Sequence, residues 1–314
     1  MDKETKPHHP HDHLARKVFG KPEEAAGFFR EYLPEDIAIR IDAGKLHREP
    51  VSFVDEALKG SAADLLYRLE DEGEELWLYC LFEHQSQPDK WMPLRLLRYM
   101  VRIWERHLEH HPPADKLPPI IPIVLHHGKQ GWSAARTFQE LIAIPKGMEN
   151  ASKPMLPEFS FPIVDLASMP YQEIRGTLLG RLTMQALKAV TEDQLVDFME
   201  RNRELMKELF QAGNLLDVGF ALLRYFHDAD TSVDKQGFMN MVKAIESKTA
   251  EDAAMTIAQQ YIDQGRQEGR VEGREQERRE LVLRMNATGM DVEQIMSITG
   301  FKKQEVLHYL AQEE

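Results

Sequence analysis

The feature that most restricts the fold of this 314-residue chain is a pair of apolar segments separated by a short acidic stretch. The segments read "ADLLYRL" and "LWLYCLFEHQ", and the stretch "EDEGEE" between them carries Gly73. Apolar runs of this length, joined by a polar segment with glycine, predict two antiparallel strands and a hairpin turn. Two carboxylates, Asp64 and Glu83, lie in the strand segments rather than in the turn.

The neighbouring segments extend this hairpin into a mixed α/β domain. "PEEAAGFFREYL" predicts a helix with Pro22 in its first turn, and "LHREPVSFV" predicts an edge strand because of Pro50. "MPLRLLRYMVRIWERHLEHH" predicts a strongly amphipathic helix, and "PIIPIVLHH" a buried strand. We therefore expect an αβββαβ core with a mixed sheet.

The chain divides by pattern into three regions. Residues 1–170 carry the α/β pattern, and residues 171–264 show the three- and four-residue apolar spacing of amphipathic helices. Residues 265–314 begin with "GRQEGRVEGREQERRE" and end in two short helical patterns. Each glycine lowers helix stability by about 1 kcal/mol relative to alanine, so the repeat predicts a frayed helix or a linker. We expect the tail to pack or self-associate, which makes a second copy of the chain an expected partner; the alternative is a minimal helix-turn-helix, with its two helices joined at Gly300.

Composition excludes several classes of protein. No run approaches the roughly 20 apolar residues that cross a bilayer, and the N-terminus lacks the apolar core of a secretion signal, so we expect a cytoplasmic protein. The single Cys80 excludes an intramolecular disulfide framework and a thiolate zinc cluster. The net charge of −13 argues against nonspecific coating of nucleic acid, but it allows a local basic surface or a metal bridging to phosphate.

Strand geometry suggests why carboxylates stand within the hairpin. If the hairpin turns at residues 73–74, Asp64 lies roughly opposite Glu83, with Cβ atoms about 5 Å apart. Two carboxylates so close predict a site for a hard divalent cation such as Mg²⁺. The alternative is structural: Asp64 begins a strand and accepts backbone hydrogen bonds, while Glu83 ends a strand beside Arg68 or Lys90.

Four segments carry a resemblance to a known family: "HDHLARKVFGKPEEAAGFFREYLP", "SFVDEALKGSAADLLYRL", "LFEHQSQPDKWMPLRLLRYMVRIW" and "PIVLHHGKQGW". They resemble the PD-(D/E)XK nuclease superfamily and, within it, the transposase-like recombination-promoting nucleases. The resemblance implies a restriction-endonuclease-like αβββαβ core followed by a helical C-terminal region. It also implies a metal-dependent endonuclease that hydrolyses phosphodiester bonds in DNA, with links to recombination or mobile elements. Two positions depart from the superfamily pattern: Gln85 replaces the usual lysine, and Ala63 the usual proline.

The resemblance also assigns roles to residues at the sheet edge. Asp64, Glu83 and the backbone carbonyl of His84 would hold Mg²⁺ or Mn²⁺, which polarises the scissile phosphate and activates water. Gln85 would orient that water, but an amide supplies only hydrogen bonds where lysine supplies charge, so the substitution weakens catalysis. The alternative function is a catalytically weak or inactive nuclease fold that binds DNA or a protein partner.

The helix that begins at Met92 offers a surface for DNA. Its arginines recur every three or four residues on one face: Arg95, Arg98, Arg102 and Arg106. Four guanidinium groups so spaced predict contact with a phosphate backbone. The alternative is a solvated face, balanced in part by Glu105 and Glu109.

Two groups of histidines are candidate metal ligands, and for both a structural role is the expectation and metal binding the alternative. His126 and His127 follow a buried strand and precede Gly128, which predicts a turn at the sheet edge. The N-terminal group is expected to belong to a disordered, solvated terminus; it comprises His8, His9, His11 and His13.

Overall fold

The computed structural model describes residues 10–50, 65–71, 73–83, 88–111, 114–212, 215–229 and 233–311. The chain forms two compact units, Met1–Glu251 and Asp252–Glu314. Among the described residues, no helix combines the length and the apolar character that a membrane span requires.

The first unit is built around a mixed sheet. Its described strands are β1 (Leu46–Glu49), β2 (Leu65–Asp71), β3 (Glu74–Glu83), β4 (Ile120–His126) and β5 (Ile163–Asp165). They lie side by side in the order β1-β2-β3-β4-β5; the pairs from β1 to β3 are antiparallel, and those from β3 to β5 are parallel. The α/β class with a mixed sheet is therefore confirmed, and β5 is an addition to the predicted strands.

Helices surround this sheet and form the rest of the first unit. Those before β5 are α1 (Pro10–Phe19), α2 (Pro22–Tyr32), α3 (Glu35–Ala38), α4 (Met92–His110) and α5 (Glu149–Ser152). Those after β5 are α6 (Leu178–Thr191), α7 (Leu195–Arg201), α8 (Arg203–Gln211), α9 (Leu216–Ala229) and α10 (Lys235–Ala244). The predicted helical C-terminal region is confirmed. The expected disordered N-terminus is wrong for His11 and His13, which lie in α1; Nδ1 of His11 is 2.9 Å from the Tyr225 hydroxyl.

The hairpin register differs from the prediction by two residues. The ladder pairs Leu65 with Cys80 and Asp71 with Glu74, whereas a turn at residues 73–74 would pair Leu65 with Phe82. The ladder closes at Asp71 and Glu74, and Gly73 between them has φ +86°, a conformation that glycine adopts without strain. Because the shift is even, it preserves which residues of each strand share a face.

Each face of the sheet is covered by helices. On one face the helix α4 packs on alternate residues of β3 and β4, and this core includes Tyr79, Leu81, Leu96, Tyr99 and Val124. On the other face the Tyr67 hydroxyl donates to the Phe19 carbonyl at 2.5 Å, and the Phe29 ring lies edge-on to Tyr67. Cys80 is buried in β3, the longest of the described strands.

The C-terminal segment consists of three helices joined by short connections. Helix α11 (Lys248–Ala287) runs without interruption through the Gly/Arg/Glu repeat, so the repeat is helix rather than linker. Helices α12 (Val292–Thr299) and α13 (Lys303–Ala311) follow, and Asp291 caps α12 in a capping box. The core of this unit is formed by four buried residues: Val282, Ile295, Val306 and Tyr309.

Candidate active site at the carboxyl edge of the sheet

The predicted catalytic residues lie at or beyond the limits of the described chain. Glu83 is the last residue of β3, and its backbone pairs with β4. Asp64 and Gln85 lie outside the described residues. Their roles as metal ligands and as an orienting residue therefore stay predictions.

The register of the parallel strands aligns three polar residues at one edge. The Cα of Glu83 pairs with that of His126 on β4, and His126 pairs in turn with Asp165 on β5. Each residue is the last of its strand. Open α/β sheets commonly bind ligands outside the carboxyl ends of their parallel strands. We call this row of three residues the carboxyl edge.

His126 is held by Asp165 within this edge. Its Nδ1 lies 2.8 Å from Oδ1 of Asp165, and its side chain is fully buried. The expected turn at His126 and His127 is wrong: His126 closes β4, and both residues are buried. His127 lies near α1, where the centroid of its ring is 4.9 Å from that of His11.

The carboxylate of Asp165 accepts three hydrogen bonds. Besides His126, its carboxylate accepts from the Trp132 backbone N–H at 2.8 Å and from the Ser168 hydroxyl at 2.5 Å. Burial alone disfavours the charged carboxylate, but these hydrogen bonds outweigh that effect and lower the pKa of Asp165 to about 2. The carboxylate is therefore ionised near neutral pH and can only accept, so Nδ1 of His126 carries the hydrogen.

The backbone around Asp165 is fixed by two further contacts. The next residue, Leu166, donates its N–H to the His126 carbonyl at 2.8 Å and accepts from Lys188 Nζ at 2.7 Å. Lys188 is itself buried and pairs with Glu192 at 2.7 Å. Gly131 lets the loop after β4 approach the Asp165 carboxylate closely, because a Cβ there would lie 2.5 Å from Oγ of Ser168 and would displace that hydroxyl.

The second ring nitrogen of His126, Nε2, is relevant to the metal site that the sequence predicts. Nε2 is buried and has no hydrogen-bond partner within the part of the chain that the structure describes. Buried polar atoms without a protein partner are rare and commonly mark a bound water, an ion or a functional role. The described residues contain no cluster of three His, Cys, Asp or Glu side chains arranged to hold a metal. His126 pairs in register with Glu83, so this unpartnered nitrogen belongs to a residue at the edge where the sequence predicts a cation.

Helix α4 has the two-sided character that the sequence predicts. Arg98 and Arg102 are exposed, Arg95 lies 5.8 Å from the centroid of the Tyr99 ring, and Nη1 of Arg102 lies 2.9 Å from Oε2 of Glu105. The opposite side is buried at Leu96, Met100 and Ile103. Contact of the arginines with DNA stays a prediction.

The other end of β2 and β3 is a region of paired charge. Glu70 and Glu75 are directly opposite in the ladder, and Arg68 contacts both of them as well as Glu49, whose Oε1 is 3.1 Å from Nε. The Arg68 side chain and the end of α4 line a cavity of about 390 Å³. Arg68 pairs in register with Trp77, six residues before Glu83, which removes it as the expected structural partner of Glu83.

Asp165 is not among the site residues that the sequence predicts. The segment "FPIVDL" is a short apolar run that ends in an aspartate. Its link to His126 spans 39 positions and depends on the pairing of β4 with β5, which no local pattern specifies.

Comparisons of this chain with a family model and with individual proteins agree on one family. The model of the YhgA-like transposase family matches residues 9–216. Recombination-promoting nuclease RpnC of Escherichia coli (strain K12) is 28% identical over 264 residues, 82% of each chain. Recombination-promoting nuclease RpnA of the same organism is 27% identical over 305 residues, which is 95% of this chain and 96% of the relative. The inactive recombination-promoting nuclease-like protein RpnE is 25% identical over 92% of this chain and 94% of its own. No solved structure matches the chain.

Proposed function

Because this chain belongs to the YhgA-like transposase family, we propose that it is a metal-dependent endonuclease that hydrolyses phosphodiester bonds in DNA and acts in recombination or in mobile elements. The observation that carries the proposal is the likeness to a recombination-promoting nuclease over 95% of the chain and 96% of that relative. The carboxyl edge supports it, because Glu83 pairs in register with His126, whose buried Nε2 lacks a described partner.

The proposed chemistry divides among residues of the sheet edge and of α4. Asp64 and Glu83 would hold Mg²⁺ or Mn²⁺, and the cation supplies a Lewis acid and a water of lowered pKa. Gln85 would hydrogen-bond the attacking water, and Arg95, Arg98 and Arg102 would bind phosphates of the DNA backbone.

Plasmid cleavage tests this function directly. Purified protein is incubated with supercoiled plasmid and Mg²⁺ or Mn²⁺, with EDTA as the metal-free arm. We expect nicked or linear products only with metal, and none from Asp64→Asn, which removes a ligand charge but retains side-chain shape. Asp36→Asn, at an exposed position in α3, is the matched control and should cleave like the wild type. Equal cleavage by both variants would remove Asp64 from the site.

A second candidate is a nuclease fold that binds DNA without cutting it. Two observations favour it: Gln85 replaces the lysine usual in the superfamily, and RpnE, a relative of similar length, is named inactive. If this candidate is right, the wild type shifts DNA in a binding assay with Mg²⁺ but leaves it intact.

Variants at Gln85 separate the two candidates further. If Gln85 positions the attacking water, Gln85→Leu lowers the single-turnover cleavage rate at saturating metal, and Gln85→Lys preserves or raises it. A normal rate in the leucine variant, with an unfolding midpoint lowered only slightly, would assign Gln85 a structural role.

A further inference from the structure

The further inference begins with the constraint on the His126 ring. One ring nitrogen is bound to Asp165 at 2.8 Å, and the Trp132 ring lies edge-on with its centroid 5.5 Å away. The ring therefore has a fixed orientation, and its other nitrogen, Nε2, is buried without a described partner. A buried polar atom that is held in this way commonly marks a bound water, an ion or a functional role.

The hydrogen bond to Asp165 decides what kind of group can bind at Nε2. The ionised carboxylate accepts three hydrogen bonds, so Nδ1 of His126 is the donor. When the ring carries its one hydrogen on Nδ1, Nε2 presents a lone pair. A group that binds at Nε2 must therefore be a hydrogen-bond donor.

The position of His126 in the sheet suggests where that hydrogen comes from. Its register partner is Glu83, the proposed ligand of the cation. Mg²⁺ prefers oxygen ligands and usually keeps several of its waters, whose hydrogens need acceptors in the surrounding protein. An imidazole nitrogen suits the softer transition metals as a direct ligand, so beside Mg²⁺ it is better placed as an acceptor for such a water.

Resting on the proposed function, we propose that His126 and Asp165 are positioning residues of the metal site. Nε2 of His126 accepts a hydrogen bond from a water of the cation's hydration shell beside Glu83. Asp165 fixes the ring tautomer that makes this possible. This role resembles the outer-shell partners that orient metal sites, whose loss typically weakens metal affinity or activity by about tenfold to a hundredfold.

Nitrogen NMR of the wild type tests the tautomer without any reference to DNA cleavage. The protein is labelled with ¹⁵N-histidine, and the His126 signal is assigned as the one missing from His126→Gln. We expect a hydrogen on Nδ1 and none on Nε2, and a shift of the Nε2 resonance when Mg²⁺ alone is added. An Nε2 resonance that does not respond to saturating Mg²⁺ would overturn the inference.

Asp165→Asn inverts the tautomer while preserving shape. The amide oxygen is needed by Trp132 and Ser168, so the NH₂ group faces His126 and forces Nδ1 to accept. Nε2 then carries the hydrogen and cannot accept one from water. We expect Mn²⁺ affinity, measured from the free Mn²⁺ signal in electron paramagnetic resonance, to fall by about tenfold or more. Unchanged affinity together with the inverted tautomer would overturn the role of the pair.

Two substitutions at His126 separate positioning from packing. His126→Gln offers an amide oxygen near the place of Nε2, whereas His126→Phe fills the ring volume without nitrogen. We expect glutamine to retain more Mn²⁺ affinity per folded molecule than phenylalanine, whatever their thermal midpoints. The control His47→Gln, at an exposed position of β1, should bind Mn²⁺ like the wild type. If both His126 variants bind Mn²⁺ normally once folded, the histidine is structural and the inference fails.

The proposed function and this inference fail in different ways. If His126 responds to Mg²⁺ but plasmid stays intact, the endonuclease proposal fails and the positioning pair stands. If plasmid is cut while His126 is inert to metal, the pair is structural and the endonuclease proposal stands.

Discussion

Polar side chains at the two ends of β3 have different kinds of partner. At the amino end, Arg68 lies among three carboxylates and compensates two of them that face each other across the hairpin. At the carboxyl edge, Asp165 saturates its oxygens with three hydrogen bonds, yet the histidine that it holds keeps one nitrogen without a described partner. Both ends leave buried polar atoms without a hydrogen-bond partner among the described residues: Oε2 of Glu75, Nε1 of Trp77 and Nδ1 of His107 at the amino end, and Nε2 of His126 at the carboxyl edge. The difference lies in charge, because Arg68 compensates the carboxylates of the amino end, whereas the carboxyl edge lies at the strand end where a cation is proposed.

The largest expected contrast comes from removing a carboxylate charge at each end of the same strand. Glu83→Gln should reduce metal-dependent plasmid cleavage to background, because it removes a proposed ligand of the cation. Glu75→Gln, at the amino end, should leave cleavage unchanged. Cleavage rates of the two folded variants at saturating Mg²⁺ provide the measurement. Equal rates would break the distinction between the two ends.

Loss of the amino-end cation should affect stability rather than activity. Arg68→Met keeps the aliphatic stem but leaves Glu70 and Glu75 opposite each other without compensation. Because the Arg68 side chain is only 24% exposed, we expect a loss of about 2 to 3 kcal/mol in the free energy of unfolding. Urea unfolding measures this loss, with Arg181→Met, at an exposed position of α6, as the control. A change in cleavage rate per folded molecule would contradict the assignment.

Acid should weaken the carboxyl edge over a defined range of pH. The pKa of Asp165 is lowered from 3.8 to about 2 on folding, so its stabilising effect is fully present above about pH 5 and is lost as the pH falls through 2. The contribution is about 2 kcal/mol. In urea unfolding between pH 5 and pH 2.5, the wild type should lose this advantage over Asp165→Asn as the pH falls. Parallel curves for the two proteins would show that the carboxylate contributes no such term.

The smallest expected effect concerns the arginine face of α4. Arg95→Ala combined with Arg102→Ala should weaken DNA binding and make its salt dependence shallower by about two units of log–log slope, since two phosphates lose their partners. Affinity is measured with an uncleavable DNA or with Ca²⁺ as the cation, at several salt concentrations. An unchanged slope would assign these arginines to solvent and to their contacts with Tyr99 and Glu105.

The elements that could be predicted from the sequence are those with a local cause. Helix α2 begins at Pro22 as predicted, and the apolar stripe of α4 is buried at Leu96 and Ile103. Strand β5 is only three residues long, too short to show a period, and it exists because β4 offers a partner. The hairpin register depends on the positive φ at Gly73, which fixes the turn one residue earlier than expected.

The candidate site was predictable only in part, for a physical reason. Glu83 is identifiable from its place at the end of an apolar strand, and its position there is confirmed. The pairing of His126 with Asp165 requires two strands that are distant in sequence to lie in parallel, so it becomes visible only in the folded chain. The Gly/Arg/Glu repeat is the converse case: local glycine content favours fraying, yet α11 is continuous through it.

Because Cys80 is buried, its reaction with a thiol reagent measures exposure of the core. It is the only cysteine in the sequence, its side chain is buried in β3, and it lies three residues before Glu83. A thiol reagent can modify it only when the sheet opens, so in the fast-exchange limit the modification rate measures the free energy of that opening. If Mg²⁺ slows the labelling of Cys80, cation binding at the carboxyl edge stabilises β3 against opening.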